Sequence, residues 1–233
     1  MKKGDYILVL CVVIVASFFC FTKVAGETFN TLTANYPVIM SFFKFAILAT
    51  LGEMIGLRIK KGVYNSKGFG ILPRMLVWGV LGVFIWGAFV VFKAGTVKLY
   101  EVCGATEAAA WFTNPGFSLQ KLIVALSVSV LLNTFFAPIF MTFHKITDTH
   151  ILNTGGSLKG FFSKPIPMSK IFVNLDWDTQ FNFVFKKTIP LFWYPAHTIT
   201  FILPPNFQVL FAALLGVALG VILAIANNKS AKK

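Results

Sequence analysis

Residues 207–226 have the sequence FQVLFAALLGVALGVILAIA, which contains no charged side chain. A helix needs about 20 mostly apolar residues to cross the hydrocarbon core of a bilayer. The stretch has this length and this character, so it predicts a membrane-spanning helix.

Five further stretches towards the N-terminus have a similar length and apolar character. Together the six predicted spans are residues 6–25, 36–57, 72–92, 122–143, 188–203 and 207–226. The second span carries Lys44 and Glu53, and the fifth is short and interrupted by Pro190 and Pro195.

The composition of the whole chain agrees with this pattern. Of the 233 residues, 57% are hydrophobic and 12% are charged, and the mean hydropathy is +0.77. A soluble domain has about 25% charged residues. The composition argues against a water-soluble enzyme and a disordered chain. We expect an all-α, polytopic membrane bundle of about six transmembrane helices, forming a single integral membrane domain over residues 1–233.

The distribution of basic residues predicts the topology. Lys and Arg number 21 against 8 acidic residues, and they lie mostly between the apolar stretches, so membrane topology explains them better than nucleic-acid binding does. With six alternating crossings, sixteen of them lie on one side. The opposite side has only Lys23, Lys93, Lys98 and Lys121. Cytoplasmic loops are rich in Lys and Arg, so both termini are predicted to be cytoplasmic.

The N-terminal region and the cysteines indicate no specific function. Residues 1–26 resemble a signal peptide in their basic start and their small residues before Gly26, but Lys23 interrupts the cleavage region, and cleavage stays open as an alternative. Cys11, Cys20 and Cys103 form no CxxC pair, and we interpret them as small apolar residues. We expect no metal and no cofactor.

Small residues recur every four positions in two spans. They are Gly52 and Gly56 in the second span, and Ala212, Gly216 and Gly220 in the sixth. A four-residue spacing places them on one helix face, where another backbone can approach closely. We therefore predict helix packing at these positions.

The long basic loop of residues 145–187 contains a further helical pattern. The apolar residues that share one helical face are Trp177, Phe181, Val184 and Phe185. Asp176 or Asp178 can cap the start of this helix, and Lys186 and Lys187 suit its C-terminal end. We predict a short amphipathic helix at the membrane interface.

Scattered motifs resemble those of a known membrane-protein family. In the first half they are Pro37, Gly52 with Glu53, Arg58, Arg74, Gly79 and Gly82; in the second half they are residues 132–138 (LNTFFAP), Trp193, Phe201 and Pro205. In this pattern the chain resembles the Mpv/PMP membrane proteins of peroxisomes and mitochondrial inner membranes, as a prokaryotic-looking member. The family's Asp-Gln pair is replaced here by Leu132 and Asn133, and Thr200 replaces its Asn.

The resemblance implies a small, channel-like helical bundle. The location that we expect is a bacterial plasma membrane, with an organellar inner membrane as the alternative. The partners that we expect are membrane lipids, small solutes or ions, and a second copy of the chain in a homo-oligomer. Nucleic acid is not expected.

Polar residues inside the predicted spans are the candidate functional residues. An ionisable residue at the centre of a span costs about 2.5–3.5 kcal/mol on insertion scales. Lys44 is therefore a candidate, and so is Glu53 unless it pairs with Arg58 or Lys60. Asn133 precedes Pro138, and His197 follows Pro195. Helices broken by proline near polar residues can form solute sites, although the same polar groups can simply satisfy the freed carbonyls.

Two functions follow from these candidates. The first, which is the function that we expect, is a small pore or solute-conducting channel of the Mpv/PMP type, lined or gated by Lys44, Glu53, Asn133 and His197. The second is a non-conducting structural bundle that binds lipid or a partner. A water-accessible path along these residues favours the first, and pairing with protein groups favours the second. An enzyme is not expected, because the sequence has no GxSxG, HExxH or Walker motif, and the Gly-rich residues 155–160 do not match a phosphate-binding loop.

Overall fold

The computed structural model describes residues 23–230 and, before them, residues 4–6, 8, 10, 13 and 17. Most of the first predicted span, with Cys11, Cys20 and the question of signal cleavage, therefore lies outside the described residues. The chain falls into two compact units, residues 1–40 and residues 41–233. The expectation of one integral membrane domain over residues 1–233 stays a prediction.

Every regular element over residues 23–230 is a helix, so the predicted all-α fold is confirmed. In chain order the helices are α1 (Lys23–Asn35), α2 (Pro37–Lys61), α3 (Ile71–Val102), α4 (Ala108–Thr113), α5 (Leu119–Phe135), α6 (Ala137–Asn153), α7 (Leu158–Ser163), α8 (Met168–Val173), α9 (Thr179–Trp193), α10 (Tyr194–Ile202) and α11 (Pro205–Ser230).

Three of the described helices are long and apolar enough to cross a membrane. They are α2, α3 and the part of α11 over Pro205–Ile222. The pair α5 and α6 meets the same test only when it is taken as one span bent by 46°. The described residues therefore contain three candidate spans, or four with the bent pair, and the count of six stays a prediction.

The bend between α5 and α6 follows from Pro138. This proline is in the first turn of α6, where its missing N–H costs no helical hydrogen bond. Because it cannot donate to the preceding turn, α5 ends at Phe135 and the chain continues in a new direction. The fourth predicted span, residues 122–143, is therefore broken within its length.

The fifth predicted span is divided between two helices. α9 is wound as a π-helix and contains Pro190, and α10 follows it directly at Tyr194. Neither helix is among the candidate spans. α9 also contains most of the predicted interfacial helix, so the two predicted elements form one helical run.

Of the two aspartates predicted as possible caps, Asp176 and not Asp178 caps the start of this run. Its carboxylate accepts hydrogen bonds from the Thr179 hydroxyl at 2.7 Å and from the Thr179 backbone N–H at 3.0 Å. These two bonds hold the pKa of Asp176 below its usual value. The carboxylate therefore stays charged where it compensates the positive end of the helix dipole.

The apolar core lies between α2, α3, α5, α10 and α11. Val124 and Val128 of α5 are fully buried, and Phe89 of α3 meets Phe201 of α10 with 4.9 Å between ring centroids. In this core α3 and α10 both pack against α5 and also meet each other at Phe89 and Phe201. The core thereby fixes the positions of the polar residues that these helices carry.

Two glycines bring the loop before α3 against the turn after α6. Gly70 and Gly156 have φ angles of 74° and 71°, in the left-handed region that favours glycine. A Cβ on Gly156 would lie 2.5 Å from the Gly68 carbonyl oxygen, which leaves no room for a side chain. The Gly-rich residues 155–160 therefore pack against the start of α3.

Candidate functional site: two buried polar clusters

A charged cluster lies at the start of α3, where Arg74 joins two carboxylates. Its Nη1 pairs with Glu53 of α2, and its Nη2 pairs with Asp148 of α6. Its Nε donates to the Phe69 carbonyl oxygen at 2.7 Å. The Arg74 side chain is only 7% exposed, so three helical segments depend on one buried guanidinium.

Two aromatic side chains complete the environment of Glu53. The Trp78 Nε1–H donates to Glu53 Oε1 at 2.9 Å, and His144 Nε2 lies 3.2 Å from the same oxygen. The ring of His144 also packs on Trp78, with 4.4 Å between centroids. Glu53 therefore pairs across the bundle and not with Arg58 or Lys60 on its own helix, because its carboxylate is directed towards α3 and α6.

The second cluster joins the polar residues of α5 and α10. The Asn133 side chain lies within hydrogen-bonding distance of His197 Nδ1, at 3.0 Å from its nitrogen and 3.1 Å from its oxygen. Asn133 is 1% exposed and His197 is 9% exposed. The structure thus brings together two candidates that are 64 residues apart in the chain.

The hydroxyl groups near this pair bind backbone carbonyls. Ser129 donates to the Tyr194 carbonyl oxygen at 2.8 Å, and Thr198 donates to the same oxygen at 2.7 Å. Thr200 donates to the Ala196 carbonyl oxygen at 3.0 Å. These hydroxyls bind the carbonyls on either side of Pro195, whereas the carbonyl that this proline deprives of its helical donor is that of Leu191, four residues before it.

Lys44 and Glu53 are on the same helix but belong to different surroundings. Lys44 is 7% exposed and has an interaction partner of its own. Glu53 lies nine residues further along α2 and has its partners on α3 and α6. The four candidates are thus distributed over three places in the bundle.

The predicted packing glycines lie at different distances from neighbouring helices. A Cβ on Gly52 would be 2.9 Å from the Val217 Cα of α11, and one on Gly220 would be 3.6 Å from the Gly52 carbonyl oxygen. A Cβ on Gly56 would be 3.8 Å from the Gly220 carbonyl oxygen, and a Cβ on Gly216 would have no atom within 4 Å. Ala212 is buried in the core. The close approach of α2 and α11 is therefore at Gly52.

No known protein family, curated protein or solved structure matches this chain. The resemblance to the Mpv/PMP family consequently stays a prediction. The function has to be argued from the geometry of the chain itself.

Sequence reasoning did not identify the partners in either cluster. Asp148 lies in the predicted basic loop of residues 145–187, His144 lies between that loop and the fourth predicted span, and Arg74 is predicted only as one of the charges on the basic side. Their position near the ends of apolar helices was the available signal, because charges there need partners. Over the described residues, no group of three His, Cys, Asp or Glu side chains is placed to hold a metal ion.

Proposed function

We propose that this chain is a polytopic membrane bundle that binds lipid or a partner and does not conduct solutes through its polar interior. The observation that supports this proposal is the pairing of its interior polar groups with protein. Glu53 binds Arg74, Trp78 and His144, and Asn133 binds His197. A pore lining would instead present such groups to water.

The arrangement of the helices from α2 onwards also supports the last five of the six predicted crossings. Lys121, near the start of α5, lies close to the end of α3, whereas Asp148 of α6 pairs with Arg74 at the start of α3. The bent pair therefore runs antiparallel to α3 and serves as one crossing. α10 ends near Lys93, and α11 returns from there towards Gly52. In this proposal α9 and α10 together form the fifth crossing.

The proposal is tested by flux through liposomes that contain the purified protein. We expect the release of trapped ions and small solutes to equal that of protein-free liposomes. Glu53→Gln and Lys44→Met should leave this background unchanged. Flux above background that either substitution alters would overturn the proposal and favour the channel predicted by the Mpv/PMP resemblance.

A further inference from the structure

A basic pocket lies at the end of the bundle opposite Arg74. It has a volume of about 610 Å³, and its polar lining includes Lys93 and Lys98 of α3, Lys121 of α5 and Gln208 of α11. With Lys23, these are the only lysines on the side that the charge pattern predicts to be poor in basic residues. Three of four scarce positive charges thus converge on one cavity.

The lysines of this pocket keep hydrogen-bonding capacity for a ligand. Lys93 Nζ donates to Gln208 Oε1 at 2.9 Å, and Lys121 Nζ donates to the Asn114 carbonyl oxygen at 2.6 Å. Both acceptors are neutral, and over residues 23–230 neither lysine has a carboxylate partner. An ammonium group has three donors, so each lysine has donors left.

Helix ends of both polarities line the pocket, because α3, α4 and α10 end there with a partial negative charge and α5 and α11 begin there with a partial positive one. α5 begins at Leu119, two residues before Lys121, and α11 begins at Pro205, which lines the pocket. The N-terminal end of a helix carries a partial positive charge, which disfavours a nearby lysine and favours an anion. Glu101 is the one acidic residue in the described lining, and it pairs with Lys98 at 3.1 Å. Three lysines against one glutamate therefore make an anion the ligand that this pocket suits.

An apolar groove of about 440 Å³ adjoins the pocket at Lys98, which lines both. The groove runs between α3 and the end of α5, and Val91 and Leu99 on its α3 side are more than half exposed. Gly95 leaves open space there, since a Cβ on it would meet no atom within 4 Å. The groove therefore has room for a hydrocarbon chain.

We propose that the pocket of Lys93, Lys98 and Lys121 binds the phosphate of an anionic phospholipid whose acyl chain lies in the groove beside Gly95. This inference rests on the proposed function, since it names the lipid that the bundle binds. Lys93 directly follows the predicted third span and Lys121 directly precedes the fourth. The pocket thus lies where α3 leaves the predicted span, and the groove extends from there into the spans at Val91 and Leu131.

The test is a titration of the full chain in non-ionic detergent with phosphatidylglycerol and with phosphatidylcholine of the same acyl chains, followed by native mass spectrometry. We expect phosphatidylglycerol to bind about tenfold more tightly, because charge-assisted hydrogen bonds are the strong ones. Lys93→Gln with Lys121→Gln should remove this preference. Lys159→Gln with Lys164→Gln, which changes the same charge at exposed positions, should keep it.

A second pair of variants separates a lipid from a soluble phosphate. Gly95→Leu fills the groove and should weaken phosphatidylglycerol binding, whereas Gly87→Leu, which also has open space, should not. Glycerol phosphate should compete weakly. Equal affinity for glycerol phosphate and phosphatidylglycerol, unaffected by Gly95→Leu, would overturn the lipid assignment.

Other outcomes are also decisive. Equal binding of the two phospholipids by the unmodified chain overturns the inference, and so does loss of the preference in the Lys159 and Lys164 control. If Lys121→Gln lowers the melting temperature, the inference is tested with Lys93→Gln alone, which should also weaken the preference for phosphatidylglycerol. It is tested as well by adding salt to the unmodified chain, since salt should reduce a preference that is electrostatic. If the protein shows no lipid preference and no solute flux, this inference is overturned and the proposed function is not. If the protein shows the lipid preference and also conducts solutes, the proposed function is overturned.

Discussion

Arg74 illustrates how a single residue can determine the packing of three segments. A buried guanidinium loses its hydration, and only well-placed partners compensate for that loss. Glu53, Asp148 and the Phe69 carbonyl oxygen are those partners, on α2, on α6 and before α3. Removing either carboxylate leaves the buried guanidinium of Arg74 with an imperfectly paired charge.

The first prediction concerns Glu53→Gln. This change keeps the volume of the side chain but removes the charge that faces Arg74, so the free energy of unfolding should fall by about 3 kcal/mol. Thermal melting in detergent measures it. Glu101→Gln is the matched control, because it breaks the exposed pair with Lys98 and should cost less than about 1 kcal/mol. An unchanged melting temperature for Glu53→Gln would contradict the structural role.

The second prediction concerns the pair of Asn133 and His197. Asn133→Leu leaves the buried His197 Nδ1 without its side-chain partner and should destabilise the fold by about 1–3 kcal/mol. The double variant Asn133→Leu with His197→Leu should lose less than the sum of the two single variants, because both polar groups are then absent. Asn182→Leu is an exposed control. Strict additivity in melting experiments would show that the two residues are not coupled.

At the scale of elements, prolines were the most informative residues in the sequence. Pro138 indicated the break in the fourth predicted span, and the structure has a 46° bend there. Pro190 and Pro195 indicated an interrupted fifth span, which is divided between α9 and α10. The π-helical winding of α9 was not predicted, because apolar periodicity does not distinguish it from an α-helix.

The third prediction concerns the contact of α2 with α11. Gly52→Leu should lower the melting temperature clearly, because even a Cβ there lies 2.9 Å from the Val217 Cα. Gly216→Leu should be tolerated, since nothing lies within 4 Å of a Cβ at that position. The four-residue spacing alone predicted packing at both glycines. Equal destabilisation by the two substitutions would place the contact elsewhere on α11.

At the scale of the whole molecule, the two ends of α3 have different polar character. Arg74 and Lys98 are 24 residues apart, which is about 36 Å along a helix and more than the roughly 30 Å of a hydrocarbon core. The charged cluster at one end holds α2, α3 and α6 together. The basic pocket at the other end gathers α3, α5 and α11.

The fourth prediction is that these ends face opposite sides of the membrane. Cys103 is an exposed free cysteine just beyond α3, so it labels the pocket end once Cys11 and Cys20 are replaced by serine. Lys159→Cys, with Cys103 also replaced, labels the other end. A membrane-impermeant maleimide should modify the two sites from opposite faces.

The topology prediction has a matched control and a clear failure. Lys67→Cys should behave as Lys159→Cys does, because Gly70 and Gly156 hold their two segments together. Modification of Cys103 and Lys159→Cys from the same face would exclude α3 as a single crossing and would leave the six-crossing proposal without its central helix.

The sequence by itself determined the helical class, the apolar segments and the positions where helices break. These properties depend on local chemistry: the length of apolar runs, the missing N–H of proline and the capping carboxylate of Asp176. The sequence also identified Glu53, Asn133 and His197 as residues that need an explanation, because polar groups in apolar helices are costly.

Only the tertiary structure decided which groups pair with these polar residues. Glu53 meets Arg74 and His144, Asn133 meets His197, and Lys93 and Lys121 line one pocket, all through contacts between helices that are far apart in the chain. Such pairings depend on the direction of each helix face and on the bend after Phe135. Spacing along the sequence contains neither, so the partners of the buried polar residues and the basic pocket came from the fold alone.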